Sequence, residues 1–156
     1  MPEKERSVEE IVRQAIKAEE EARDFYQAAS KMVTASHVQE TLNELADEEA
    51  KHKEKLEKLL KGDIGKIVAA QQSRKIHDMK LADYLKPQTL DKDASFQDVL
   101  IVAMQREKAS YDFYTLMAGI AASDETRKLF EFLAQEEMGH KNKIEALYDE
   151  VVYKKF

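Results

Sequence analysis

Only four histidines occur in the 156-residue chain, and two of them sit in matching surroundings. His52 lies in "DEEAKHKEK", three residues after Glu49, and His140 lies in "QEEMGHKNK", three after Glu137. Both Glu49 to Glu137 and His52 to His140 span 88 residues. Positions three apart share a face of a helix, so each pair offers a carboxylate oxygen and an imidazole nitrogen to one point in space. That donor set suits a divalent transition metal. The chain contains no cysteine, which excludes disulfides, thiolate-held iron and thiol catalysis within it.

A single Glu-x-x-His on a charged helix is usually a solvated surface, so the repeat decides the reading. Shifting the chain by 88 and comparing residues 15–59 with 103–147 gives 14 identities in 45 ungapped positions, including "DFY" at 24–26 and 112–114. Chance matching in this composition would give only a handful. The chain therefore reads as two related helical hairpins. The repeat also selects among the adjacent acids Glu19, Glu20 and Glu21. They align with Glu107, Lys108 and Ala109, so only Glu19 has an acidic counterpart.

Helical periodicity supplies the frame. Ser7 with Glu10 reads as a capping box that opens a first helix ending near Val33, with Val8, Val12, Ala15, Phe25 and Ala29 on its apolar stripe. A second helix is expected from Ser36 to a stop at Gly62. Ser95 with Asp98 should cap a third running to about Ala121, and Ser123 should start a fourth through "YDEVV". Residues 63–94 are less regular. "IGKIVAAQQSRKIHDM" and "MKLADYLKP" suggest short helical pieces before Pro87. The expected fold is all-α: one domain over 1–156, with hairpin one at 7–62, a crossover at 63–94 and hairpin two at 95–156. Two short loops and one long crossover describe a ferritin-like antiparallel four-helix bundle.

Depth in that bundle brings six side chains together. Glu19 and Glu49 are equidistant from the "TAS" loop, and Glu107 and Glu137 from the loop before Ser123. Fifteen residues of helix place all four roughly 22 Å from their loops, near mid-helix. His52 and His140 join them at the same level. Four buried carboxylates with nothing to balance them would resist ionisation strongly, whereas two divalent cations cancel the four charges and neutral imidazoles complete the shells. A Glu from each of two helices and Glu-x-x-His from each of the others is the ligand set of two-metal carboxylate bundles. Carboxylate with imidazole suits iron or manganese better than magnesium or calcium.

Around these candidates, Tyr26 and Tyr114 lie two turns beyond Glu19 and Glu107. Two readings stand for them: hydrogen bonding to ligand carboxylates, or core aromatics with their hydroxyls satisfied elsewhere. Glu20 and Glu48 are expected to face away from the metals. Met32, Met104, Phe130 and Phe132 are read as core, His37 and His77 as surface, and "KHKEKLEKLLK" as an exposed face with i,i+4 pairs.

Charged residues make up 36% of the chain and the net charge is -6, which argues against a nucleic-acid partner. No apolar run reaches the roughly 18 residues of a membrane span, and "MPEKERSVEE" does not resemble a secretory signal. A cytoplasmic location is the expectation.

At "AIKAEEEARDFY", "ELADEEAKH", "AMQREKASYDFY" and "FLAQEEMGH" the chain resembles the rubrerythrin branch of the ferritin-like superfamily over nearly its whole length. The resemblance implies that Glu19, Glu49, His52, Glu107, Glu137 and His140 hold two iron ions, with manganese an alternative at either position, and that Glu49 and Glu137 bridge them. It implies peroxide reduction with electrons from a separate donor such as a rubredoxin-like protein, and a homodimer. Rubrerythrins carry a further Glu three residues after the third-helix ligand, where this chain has Ser110. The competing readings are iron oxidation and storage in a ferritin-like shell of about 24 subunits, and a metal-free interaction bundle.

Overall fold

The computed structural model describes residues 3–62, 90 and 93–153. They form four long helices: α1 (Glu3–Ser30), α2 (Ser36–Lys61), α3 (Phe96–Ile120) and α4 (Asp124–Tyr148). A π-helical turn, Asp149–Tyr153, follows α4 directly. The expected crossover helices and His77 fall outside the described residues.

The helix boundaries follow from local chemistry. Ser95 and Asp98 make the reciprocal capping box at the start of α3, each side chain accepting from the other's backbone N–H. The Ser123 hydroxyl accepts from Thr126 N–H at the start of α4. Ala35, which precedes α2, offers no side-chain cap, and the loop is instead stitched by the Gln39 amide donating to the Val33 carbonyl at 2.7 Å. Two expectations need correction. α1 begins at Glu3, so Ser7 lies within the helix rather than at its cap, and it ends at Ser30, short of Val33.

α1 packs along α2 and α3 packs along α4, giving two hairpins, with α2 against α4 and α1 against α3. The all-α four-helix bundle is thus as the sequence indicates. Its apolar core is divided in two. One cluster joins the start of α1 (Val8, Val12), the end of α2 (Leu56), the end of α3 (Met117, Ile120) and the start of α4 (Phe130, Leu133). The other joins the opposite ends, through Ala29, Val38, Leu42, Val99, Leu100, Ile144 and Leu147. The two hairpin loops therefore sit at opposite ends of the bundle, and a buried polar layer lies between the clusters.

Two residues expected in the core are on the surface: Met32 is 48% exposed and Phe132 45%. Each falls off the buried stripe of its segment. Met32 lies in the turn after α1, and Phe132 lies beneath the Lys55 ammonium, 5.5 Å from the ring centroid. Phe130 is buried, and Met104 packs against the second cluster. His37 is exposed and pairs with Glu150 in the π turn. In "KHKEKLEKLLK", Lys53 pairs across to Glu20 on α1 at 2.8 Å, and His52 and Leu56 are buried.

Candidate metal centre

The polar layer consists of Glu19 from α1, Glu49 and His52 from α2, Glu107 from α3, and Glu137 and His140 from α4, each no more than 2% exposed. Every one lies on the buried stripe of its helix, so packing of the apolar residues above and below forces all six inward. The structure thus brings together the whole set of six named from the sequence.

The distances describe two overlapping groups. His52 Nδ1 lies 3.2 Å from Glu137 Oε1, 3.4 Å from Glu49 Oε1 and 3.5 Å from Glu19 Oε2. His140 Nδ1 lies 2.9 Å from Glu49 Oε1, 3.3 Å from Glu137 Oε1 and 3.7 Å from Glu107 Oε2. Glu49 and Glu137 belong to both groups; Glu19 belongs to the first and Glu107 to the second. One ligand atom from each of Glu49, His52, Glu137 and His140 falls within 4.8 Å of the others. The two imidazoles stack with centroids 5.5 Å apart and planes 10° from parallel.

These contacts are edges without hydrogen bonds. Glu19 Oε2, Glu49 Oε1, His52 Nδ1, Glu107 Oε2, Glu137 Oε1 and His140 Nδ1 are all buried and have no hydrogen-bond partner. Buried polar atoms are almost always satisfied, so six such atoms turned toward one small volume call for a ligand. Neighbouring donors around a six-coordinate ion with bonds of about 2.1 Å lie about 3 Å apart, close to the spacings here. The donor set fits metal binding, and nitrogen with oxygen donors suits iron or manganese.

The outer atoms of Glu19, Glu107 and His140 are held. The Tyr26 hydroxyl donates to Glu107 Oε1 at 2.5 Å, and Tyr114 donates to Glu19 Oε1 at 2.6 Å. Each tyrosine thus bonds a carboxylate of the other hairpin rather than the one on its own helix. This turns the second oxygen of each Glu inward. His140 Nε2 meets Glu48 Oε2 at 2.5 Å, and His52 Nε2 lies 3.6 Å from Glu136 Oε1. A carboxylate at Nε2 favours the proton there, so Nδ1 is the nitrogen that would give up its proton to a cation. Glu48 therefore does not face away, contrary to expectation. Glu48 and Glu136 are repeat mates, and their recurrence beside Glu49 and Glu137 was the signal that could have found them.

Burial pushes Glu49 well above the usual carboxylate range, and the charges of Glu137, Glu19 and Glu107 push it further. Burial and Glu137 raise Glu19 likewise, and raise Glu107 to about 8. Burial acts upward on Glu137 too, but contacts with His140 and His52 outweigh it and hold that group at about 2. Burial disfavours charged imidazole, yet the surrounding carboxylates raise both His52 and His140 above their ordinary value. Burial also raises Tyr26 and Tyr114 well above 10.0, next assisted by Glu107 and Glu19 respectively, so both phenols remain proton donors at neutral pH. A cluster that holds protons this firmly exchanges them for cations on loading.

The Rubrerythrin family model matches residues 10–148 of the chain. A solved structure of a hypothetical protein from Pyrococcus furiosus is similar, with a TM-score of 0.69 and 25% identity, covering 93% of this chain and 90% of that one. A comparison with curated proteins finds no match. Among the described residues no helix is long and apolar enough to cross a membrane.

Proposed function

The chain belongs to the rubrerythrin family, and from that premise and the geometry of the polar layer we propose that it is a non-haem di-iron oxidoreductase that reduces peroxide with electrons from a separate donor. The observation that carries the reading is the set of six buried donor atoms, one from each candidate ligand, with no partner but one another.

Glu19, Glu49, Glu137 and His52 would hold one iron, and Glu107, Glu49, Glu137 and His140 the other, with Glu49 and Glu137 shared. When bound, a ferrous pair supplies the two electrons that, with two protons, convert peroxide to two waters. The chain's own residues do the rest. Glu48 orients the His140 imidazole, and Glu136 stands 3.6 Å from His52. Tyr26 and Tyr114 fix the two unshared carboxylates and keep a phenolic proton beside each. The apolar clusters on either side exclude bulk water, which strengthens every charge interaction in the layer. These 156 residues contain no cysteine, so the electrons come from a partner such as a rubredoxin-like protein.

The test has two parts. Anaerobic titration with ferrous iron should saturate at two ions per chain. The reduced protein should be oxidised rapidly by peroxide yet turn over only when a rubredoxin-like carrier and its reductase are added. Saturation at one ion, or no binding, would remove the six-ligand site. If no carrier sustains peroxide consumption while oxidised iron accumulates as a soluble mineral, the storage reading replaces this one.

A further inference from the structure

The polar layer is closed on most sides. Apolar clusters cover it above and below. Toward α2 and α4 the His52 and His140 rings stack across it, 10° from parallel and no more than 2% exposed. The seam between α1 and α3 is built differently. Glu19, Ala22 and Tyr26 follow one another at single-turn intervals on α1, and Glu107, Ser110 and Tyr114 do so on α3, so each trio lies along one stripe of its helix. The outer members of both trios are at most 2% exposed, whereas Ala22 and Ser110 between them are partly open to solvent. Tyr26 donates across the seam to Glu107, and Tyr114 donates back to Glu19. These bonds pair residue 26 with 107 and residue 114 with 19, an antiparallel register that sets Ala22 and Ser110 opposite one another to within a residue. The two bonds thus form crossbars about 10 Å apart along the helices, with a methyl and a hydroxymethyl group in the interval. The inward oxygens of the same two carboxylates, Glu19 Oε2 and Glu107 Oε2, have no hydrogen-bond partner.

We propose that the gap between these crossbars is the opening through which the oxidant reaches the polar layer, and that Ala22 and Ser110 limit it to molecules about as small as hydrogen peroxide. The inference rests on the di-iron reading given above and adds a substrate class to it: hydrogen peroxide rather than a bulky organic hydroperoxide. Two stripes that are otherwise buried at the level of the site open at the same pair of positions, one on each helix. They open between Glu19 and Glu107, the two carboxylates that each serve a single cation position, so an arriving molecule meets both positions. The crossbars also fix the width of the gap. Spreading α1 from α3 would break both tyrosine bonds and leave a buried carboxylate oxygen unpaired at each, which folded proteins avoid. Side-chain size at residues 22 and 110, rather than helix separation, therefore sets what passes.

The test compares Ser110→Gly, Ser110→Leu and Ala22→Leu with the parent in the full iron-loaded chain. Thr115→Leu, which adds similar bulk at an exposed position of α3, is the control. Azide binding to the oxidised protein, followed by its charge-transfer absorbance, reports access without turnover. Anaerobic stopped-flow oxidation of the ferrous protein by hydrogen peroxide or by cumene hydroperoxide reports size. The same two electrons and two protons yield two waters from the first oxidant, and one water and an alcohol from the second. Ser110→Leu and Ala22→Leu should each slow azide entry and peroxide oxidation about tenfold or more, with the iron capacity of the parent. Ser110→Gly should raise the cumene hydroperoxide rate relative to the hydrogen peroxide rate about tenfold, and Thr115→Leu should match the parent. Parent rates in both leucine variants, slowing in Thr115→Leu as large as theirs, or unchanged selectivity in Ser110→Gly overturns the proposal. The glycine variant keeps the claim testable should the leucine variants fail to fold. A parent that binds two irons but is oxidised by neither peroxide would overturn the peroxide-reduction reading instead, and azide entry in the leucine variants would still decide the opening.

Discussion

Stripping the metal should invert the pH dependence usual for a carboxylate-rich protein. Glu107 rises from an ordinary 4.5 to about 8, chiefly through burial and then through Glu137. The folded metal-free chain therefore binds a proton that the unfolded chain has already lost between those pH values. A group raised in this way stabilises the fold fully below its unfolded pKa, and that contribution disappears as pH climbs toward the folded value. Each pKa unit corresponds to 1.36 kcal/mol, and with half-titration at either end Glu107 alone makes the apo fold about 4 kcal/mol less stable at pH 8 than at pH 4.5. Glu19 and Glu49 are raised too and act in the same direction, and raised His52 and His140 extend the decline above their ordinary 6.5. Glu137 and Glu48 are lowered and act oppositely, but only as pH falls below 4.5. Apo stability should thus peak near pH 5 and fall steadily to pH 8. Urea unfolding of chelator-treated protein, followed by the helical circular dichroism signal, should show the midpoint dropping by about 2 M across that window. Replacing Glu107 by Gln should flatten the slope and raise the midpoint at pH 8. Cation-loaded protein should behave in the reverse sense, because cations bind the deprotonated ligands more tightly as pH rises. An apo midpoint that stays level or climbs from pH 5 to 8 would refute the electrostatic account of the polar layer.

Four further outcomes follow from named contacts. Glu48→Gln should weaken metal binding about 10- to 100-fold in a competitive chelator titration, Glu136→Gln should weaken it less because its oxygen stands 3.6 Å from His52 rather than 2.5 Å, and Glu20→Gln should change nothing, since Glu20 pairs with Lys53 on the surface. Glu49→Ala should abolish binding of the cation pair while making the apo protein more stable at pH 8, because one repelled buried carboxylate is gone; a less stable apo variant would contradict this. Tyr26→Phe and Tyr114→Phe should each cost about 1–3 kcal/mol in apo unfolding by orphaning Glu107 Oε1 or Glu19 Oε1, and the two costs should be similar because the bonds are matched. Glu137→Ala should lose the cation pair as Glu49→Ala does, and a variant that still binds two ions would contradict the shared position of Glu137.

The bundle and its polar layer were legible because both rest on periodicity. The apolar stripes fixed which face of each helix turns inward, and the 88-residue offset fixed which of three adjacent acids matters. Capping was legible at Ser95 and Ser123, where side chains close the helix start, and misleading at Ser7, where a sequence of capping type lies inside a helix that has already begun. Partner choice across the bundle was not legible. Spacing along α1 puts Tyr26 two turns from Glu19, but only the antiparallel crossing of α1 with α3 shows that its hydroxyl reaches Glu107. Glu48 was lost for the same reason: its partner, His140, is 92 residues away on another hairpin. Exposure of Met32 and Phe132 was missed because large apolar residues are assigned to the core by type, while position around the helix decides.

The division of the core explains why the layer is so costly and so well supported. An apolar layer at this height would join the two clusters into one continuous core and stabilise the fold without further help. Six polar side chains instead separate them, and three are held from outside by a neighbour that cannot serve any apolar purpose: a tyrosine hydroxyl on Glu19 and on Glu107, and a carboxylate on His140, while a further carboxylate stands 3.6 Å from His52. Every outer partner comes from a different helix than the residue it holds, so the inward set is locked only when both hairpins have docked. The hairpins therefore assemble the candidate cation site as they dock, and cation binding there should stabilise the docked bundle as a whole rather than either hairpin alone.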